Sequence, residues 1–308
     1  MPVQFAVLAS GSRGNATLVQ AGGAGLLVDA GLGPRRLAER LAAVGSAWER
    51  VACVVLTHTH GDHVENASLH WMASRGITLI CHDGHRPTLD RLSGFQALVA
   101  AGLTRSYDET PFLTPNGMRV EPITLHHDGG PTFGFRIEGR AERRGRWVSL
   151  GYLADTGCWT ETMVGAVADV DVLGIEFNHD IDLQRRSGRS PALIGRILGD
   201  HGHLSNHQAA DFVSAVLARS RPGALRHVVL LHLSEECNLP ELALSAAQKA
   251  VRLASRRSTV IAAEQHTVCP DLLVTPGRQN ATGKGTAPDQ TGAPRAGRPS
   301  ETQEMILF

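Results

Sequence analysis

The stretch that most restricts what this chain can become is Thr57-His58-Thr59-His60-Gly61-Asp62-His63. It follows directly on Val51–Leu56, a continuous apolar run of strand length. A strand buried on both faces reads this way, and such a strand often delivers a catalytic loop at its C-terminal end. His58 and His60 are two residues apart in an extended segment, so both lean to one side. Gly61 lets the chain turn, and Asp62 and His63 then open the helix expected over Val64–Ser74. One short loop therefore offers two imidazoles to one cation, and a carboxylate plus an imidazole to a second. Those donors suit zinc, manganese or iron. A polar loop without a metal has no reason to crowd four ligands so closely.

Strand and helix patterns alternate around this loop. Val3–Ala9, Ala16–Gln20 and Gly25–Asp29 are short apolar runs split by Gly/Ser/Asn clusters, which predicts strands joined by turns. Pro34–Val44 carries Leu37, Leu41 and Val44 at helical spacing. Further strands are expected at Thr78–Cys81, Met118–Leu125, Thr132–Ile137, Arg146–Tyr152, Val170–Glu176 and His227–Leu231. Helices are expected at Glu161–Ala168, Pro191–Leu198, Asn206–Arg219 and Leu239–Ala254. A chain of 308 residues, 42% hydrophobic and 19% charged, can bury a large core. The alternation fits an α/β protein with two sheets covered by helices on their outer faces. Residues 1–270 are assigned to that domain. The segment 271–308 is rich in Gly, Pro, Thr, Gln and Ala without an apolar period, and reads as a disordered tail.

Lys plus Arg equals Asp plus Glu at 30 each, so no overall basic field exists. Any nucleic acid would have to be held by a local patch. Arg140, Arg143, Arg144 and Arg146 form one candidate, although a charge run of this kind usually marks a solvated hairpin. Arg185, Arg186 and Arg189 form another. The five cysteines are scattered, without zinc-knuckle or redox spacing, and read as reduced thiols. The first ten residues carry no cationic segment, and no uncharged run approaches the roughly 18 residues of a membrane helix. The chain therefore reads as a soluble, cytoplasmic protein with no membrane partner.

The run from His58 to His63 resembles the HxHxDH signature of the metallo-β-lactamase superfamily. Leu27-Val28-Asp29-Ala30-Gly31, Ala154-Asp155-Thr156-Gly157 and Leu231-His232-Leu233-Ser234 resemble further motifs of that family. The resemblance implies a four-layer αββα sandwich, two mixed β-sheets flanked by helices. It implies that Asp29 supports the ligand loop without binding metal, that Asp155 bridges two ions, and that His232 is the last ligand. His126 and His127 compete for one position, and neighbours on a strand point to opposite faces. His127-Asp128-Gly129, followed by Pro131 and Phe133, is the closer match. The implied set is His58, His60 and His127 on one ion, and Asp62, His63 and His232 on the other, with Asp155 between. Two divalent ions, zinc or manganese, can hold a bridging hydroxide at neutral pH and polarise a phosphoryl or carbonyl oxygen. Asp62 is expected to orient that nucleophile.

Leu8-Ala9-Ser10-Gly11-Ser12-Arg13-Gly14-Asn15 is not a dinucleotide fingerprint, because its glycine spacing is wrong. It resembles the SGSxGN opening of the exonuclease-like branch known as YycJ and WalJ. Phe177-Asn178-His179-Asp180, Gly202-His203-Leu204-Ser205-Asn206 and His232-Leu233-Ser234 resemble that branch in the same order. This implies phosphodiester hydrolysis of nucleic acid or a small phosphodiester, with Ser10, Ser12, Asn15 and His203 facing the substrate. His203 precedes the expected helix cap Ser205. A protonated imidazole there can donate to a phosphate oxygen or to the leaving group, worth about 10²–10⁴ in rate. His179 is assigned to loop structure or to substrate contact. The stretch from Asp155 to His232 is too short for the inserted domain of β-CASP nucleases and lacks the arm of tRNA 3′-processing enzymes. It also contains the Arg185–Arg189 patch, where this fold shapes its substrate cleft. A thioester, lactone or amide hydrolase with the same ions is the alternative. A non-catalytic metal-binding regulator is a third reading, disfavoured because a buried polar cluster is costly without a metal.

Overall fold

The computed structural model describes residues 2–140, 147–254, 256–269 and 272–275. The chain opens with an antiparallel meander of β1 (Val3–Ala9), β2 (Ala16–Ala21) and β3 (Ala24–Val28). Helix α1 (Pro34–Ala43) then carries it across to β4 (Val51–Val55), parallel to β3. The first sheet continues through α2 (Asn66–Arg75), β5 (Thr78–His82), α3 (Arg86–Leu89), α4 (Ser93–Ala100) and β6 (Thr104–Tyr107). α2 starts two residues later than expected because Glu65 caps it, its carboxylate accepting from the Ser68 amide at 3.2 Å.

A second sheet begins with β7 (Phe112–Leu113), β8 (Arg119–Leu125), β9 (Thr132–Gly139) and β10 (Val148–Leu153). It continues through α5 (Glu161–Ala166), β11 (Val172–Glu176), α6 (Ile181–Arg185), α7 (Pro191–Leu198), α8 (Asn206–Arg219), β12 (His227–Leu231), α9 (Pro240–Leu253) and β13 (Thr259–Ala262). Finally β14 (Leu272–Val274) returns to pair with β1. This strand carries the first sheet past the expected boundary at 270, and residues 271 and 276–308 of the expected tail lie outside the described residues. Arg143, Arg144 and Arg146 of the first basic stretch lie outside them too.

Each sheet has seven strands, ordered β14-β1-β2-β3-β4-β5-β6 and β13-β12-β11-β10-β9-β8-β7. Alternate residues of one strand enter different cores, as a period of two demands. Leu26 and Val28 join Phe135, Leu150 and Tyr152 between the sheets, whereas Leu27 packs with Leu37, Leu41 and Leu69 of the helices outside. Phe212, Val216 and Ala247 cover the outer face of the second sheet in the same way. The result is the expected four-layer α/β sandwich of two mixed sheets between helices. Parallel pairing joins β3 to β4 in one sheet and β10, β11 and β12 in the other. The C-terminal ends of those strands carry a cluster of polar residues, the usual place for a site in such sheets.

Candidate metal centre

The loop after β4 is held from below by Asp29, which directly follows β3 and is fully buried. The Thr57 amide donates to Asp29 Oδ1 at 2.8 Å, and the Thr57 hydroxyl lies 2.9 Å from Oδ2. The same carboxylate accepts from His63 Nδ1 at 2.7 Å, which leaves Nε2 of His63 as the ligating nitrogen. Asp29 binds the ligand loop and belongs to none of the clustered groups that could ligate an ion. Gly31 allows the loop to sit this low: a Cβ there would lie 1.7 Å from the Asp62 carbonyl oxygen.

Asn15 grips the loop from the other side. Its amide N–H donates to the Asp62 carbonyl at 2.7 Å, and its Nδ2 lies 3.2 Å from Asp62 Oδ2. Ser10 Oγ accepts from the His232 amide at 2.8 Å. Both side chains are buried and hydrogen-bonded to segments that carry candidate ligands, whereas the sequence expectation set Ser10, Ser12 and Asn15 all against substrate. Of the three, only Ser12 is exposed.

The separate segments converge. Potential ligand atoms of His58, His60 and His127 lie within 4.8 Å of one another, as do those of Asp62, His63 and His232, and those of His58, His63 and Asp155. His63 Nε2 is 2.9 Å from Asp155 Oδ2, and His232 Nε2 is 3.4 Å from Asp155 Oδ1 and 3.5 Å from Asp62 Oδ2. His127 donates from Nδ1 to the Gly202 carbonyl at 2.9 Å, turning Nε2 towards His60. His126 instead faces the exposed His201, with ring centroids 6.2 Å apart. Asp29, Asp155 and His232 are three of the four non-glycine residues with left-handed backbones among the described residues, at φ 63°, 63° and 53°. Each sits just past a strand end, where strain of about 1–3 kcal/mol is tolerated to aim a functional group.

The donor set fits divalent metal ions. His58 Nε2 is buried without a hydrogen-bond partner, an arrangement that costs free energy unless a cation fills it. Burial drives the His58 imidazole well below the usual histidine range and lowers His60 too, so both stay neutral and ready to ligate. Burial would also lower His63 and His232, but the carboxylates around them win. Asp29 and Asp155 raise His63 well above its ordinary value, and Asp155 with Asp62 and Glu176 pushes His232 up to about 10. Asp155, although buried, is held well below the carboxylate range by His232 and His63.

One functional residue escaped the sequence reading. Glu176 ends β11, is fully buried, and clusters with Asp155, His203 and His232. His203 Nδ1 lies 2.6 Å from Glu176 Oε1, and its ring flanks those of His127 and His232 at 5.0 and 5.3 Å. Despite burial, Glu176 raises the His203 pKa, while His203 brings Glu176 down to about 2. A glutamate closing an otherwise apolar strand, Val172-Leu-Gly-Ile-Glu176, was the available signal, since an isolated buried charge must be paired. Asn178 holds the next segment, donating to the His232 carbonyl at 2.9 Å. His179 is fully buried, with no hydrogen bond to either ring nitrogen, and its backbone bridges to Ser205.

The family model described as the beta-lactamase superfamily domain matches residues 25–232, a span that runs from β3 to His232. The chain belongs to the beta-lactamase superfamily. Within this superfamily it is 29% identical over 242 residues to a protein of Streptococcus pneumoniae serotype 2 named exodeoxyribonuclease WalJ, covering 78% of this chain and 85% of that one. It is 27% identical over 244 residues to a protein of Bacillus anthracis named exodeoxyribonuclease YycJ, covering 79% and 87%. The crystal structure of the metallo-beta-lactamase fold protein YhfI from Bacillus subtilis superposes with a TM-score of 0.62 at 17% identity, covering 87% of this chain and 99% of that one. A separate cavity of about 350 Å³ lies at the far end of β12, lined by Leu217, Arg221, Arg226, His227, Arg256 and Arg257. It shares no residue with this superfamily's metal cluster.

Proposed function

We propose that this beta-lactamase superfamily member is a metal-dependent phosphodiesterase of the nuclease type, loaded with two divalent ions, zinc or manganese. The relatives named exodeoxyribonuclease support DNA as the substrate class. The observation that carries the reading is the Glu176–His203 pair beside the ligand cluster. When bound, two divalent ions ionise water near neutral pH and draw charge from a phosphoryl oxygen.

His58, His60 and His127 would hold one ion, Asp62, His63 and His232 the other, with Asp155 reaching both groups. Glu176 accepts a hydrogen bond from the Nδ1–H of His203, which leaves Nε2 for the substrate. The carboxylate also favours the protonated ring, so His203 can hand a proton to the leaving oxygen as the phosphodiester bond breaks. Asp62, partly exposed and fixed by Asn15, is placed to orient the attacking water. A general acid serves ester and amide hydrolysis equally, so it is the relatives named exodeoxyribonuclease that favour the phosphodiester.

A cytoplasmic location fits the five free cysteines. Among the described residues no helix is long and apolar enough to cross a membrane. The test is digestion of single- and double-stranded DNA and of bis(p-nitrophenyl) phosphate by manganese- or zinc-loaded protein, beside acylglutathione and lactone substrates. Phosphodiester cleavage lost in His60→Ala is the expected result. Turnover of the acyl substrates alone would overturn the proposal.

A further inference from the structure

Three arginines from three segments each pair with a carboxylate that lies next to a candidate ligand or on the loop that follows one. Arg196 on α7 engages both oxygens of Asp128, one of them at 3.0 Å. Asp128 Oδ1 in turn lies 3.6 Å from His127 Nε2 and 3.9 Å from His60 Nε2, so this guanidinium is one carboxylate removed from two ligand nitrogens. Arg189, between α6 and α7, pairs with Glu236 at 2.7 Å and reaches Gln184 Oε1 at 3.3 Å. Arg13, in the β1–β2 loop, pairs with Glu235 at 3.0 Å. Glu235 and Glu236 follow His232 by three and four residues, so the loop carrying a ligand also carries both acids. All three carboxylates are exposed.

Such pairs are weak, because water solvates both partners and each arginine gives up side-chain freedom. A guanidinium binds a phosphate with the same two-pronged geometry it uses for a carboxylate. Exchange from acid to phosphate therefore costs little at each position, but the freed carboxylate repels the incoming anion. One isolated phosphodiester gains one exchange against that repulsion. A strand that reaches all three gains several at once. With no net charge on the chain, selection for a polyanion has to be built locally in this way.

Resting on the reading that the substrate is a nucleic-acid strand, we infer that Arg13, Arg189 and Arg196 bind backbone phosphates flanking the scissile one by exchange from Glu235, Glu236 and Asp128. The cleft thereby prefers a strand carrying several phosphates to a lone phosphodiester.

The test is fluorescence anisotropy of the full chain, metal-free, with a labelled single-stranded deoxyoligonucleotide across a salt series. It is paired with kcat/KM on the oligonucleotide and on bis(p-nitrophenyl) phosphate after loading. Arg13→Ala, Arg189→Ala and Arg196→Ala are each expected to weaken binding. Each should also lower the slope of log affinity against log salt by about 0.7, the loss of one phosphate contact on a single strand. The ratio of oligonucleotide to small-substrate kcat/KM should fall in each. Glu235→Gln with Glu236→Gln should tighten oligonucleotide binding, a gain that misfolding cannot produce. Unchanged slopes and ratios in the arginine variants, with the wild type cleaving both substrates, overturn the arginine assignment alone. Failure of the wild type to cleave either substrate overturns the hydrolase reading and this inference with it.

Discussion

The two sheets build their halves of the metal centre in opposite ways. The first delivers His58, His60, Asp62 and His63 on one loop, clamped below by Asp29 and from the side by Asn15. The second delivers Asp155, Glu176 and His232 singly from the ends of three parallel strands, with His127 and His203 added from the loops after β8 and α7. The first half is a local motif whose geometry depends on a few neighbouring bonds. The second exists only once β10, β11 and β12 are in register. Damage to the first half should therefore act on ion affinity; in the second, loss of Asp155, His127 or His232 should do the same, whereas loss of Glu176 or His203 should act on the chemistry done beside the ion.

Asp155→Ala gives the largest expected effect. It removes the group common to both halves, and activity should fall on the order of 10³-fold or more together with metal content. If activity fell while both ions were retained, Asp155 would belong to the second half alone. His203→Ala should cost about 10²–10⁴ in kcat with metal content unchanged. Glu176→Gln should show the same split, and its pH profile carries a sign. Glu176 raises the His203 pKa, so losing the carboxylate lowers that pKa, and the alkaline limb of kcat moves to lower pH. An unmoved limb separates Glu176 from proton transfer. Asp29→Asn should weaken metal binding by about 10–100-fold, as expected for a group that orients a ligating histidine.

The smallest effect is on stability. In metal-free protein His232 is held protonated, with its pKa raised from 6.5 to about 10. A raised folded-state pKa stabilises fully below the unfolded value, and that contribution is lost as pH rises through the folded one. Thermal melts of metal-free protein should thus decline from about pH 6.5 towards 10 relative to a His232→Gln variant. Loaded protein should not show this difference, because ligation requires the neutral ring.

The same contrast explains what could be read from the amino-acid order. His58 to His63 sit within six residues after an apolar strand, so their shared purpose is visible without the fold. The strands flanking the site, β1 to β4 and β8 to β12, follow from apolar runs bounded by Gly, Asn and Ser. Asp155 and His232 were placed by resemblance to a family, because a lone Asp or His after a strand has no local signature. Glu176 stayed hidden because its partner His203 lies 27 residues away and meets it only across the finished sheet. Ser10 and Asn15 were assigned to substrate by the resemblance of their loop to the SGSxGN opening of an exonuclease-like branch. In the structure they are covered by the very ligand segments they hold. β6, β13 and β14 are short edge or near-edge strands whose patterns do not alternate, and pairing with a formed sheet decides them.

Metal stoichiometry is the most direct test of whether the two halves form one binuclear centre. Chelator-stripped protein titrated with zinc or manganese, then freed of excess and measured by plasma mass spectrometry, should hold two ions per chain. Asp29→Asn should retain both more weakly, and His232→Ala should retain one. A wild-type chain saturating at one ion or none, or a His232→Ala chain that still holds two, would contradict it.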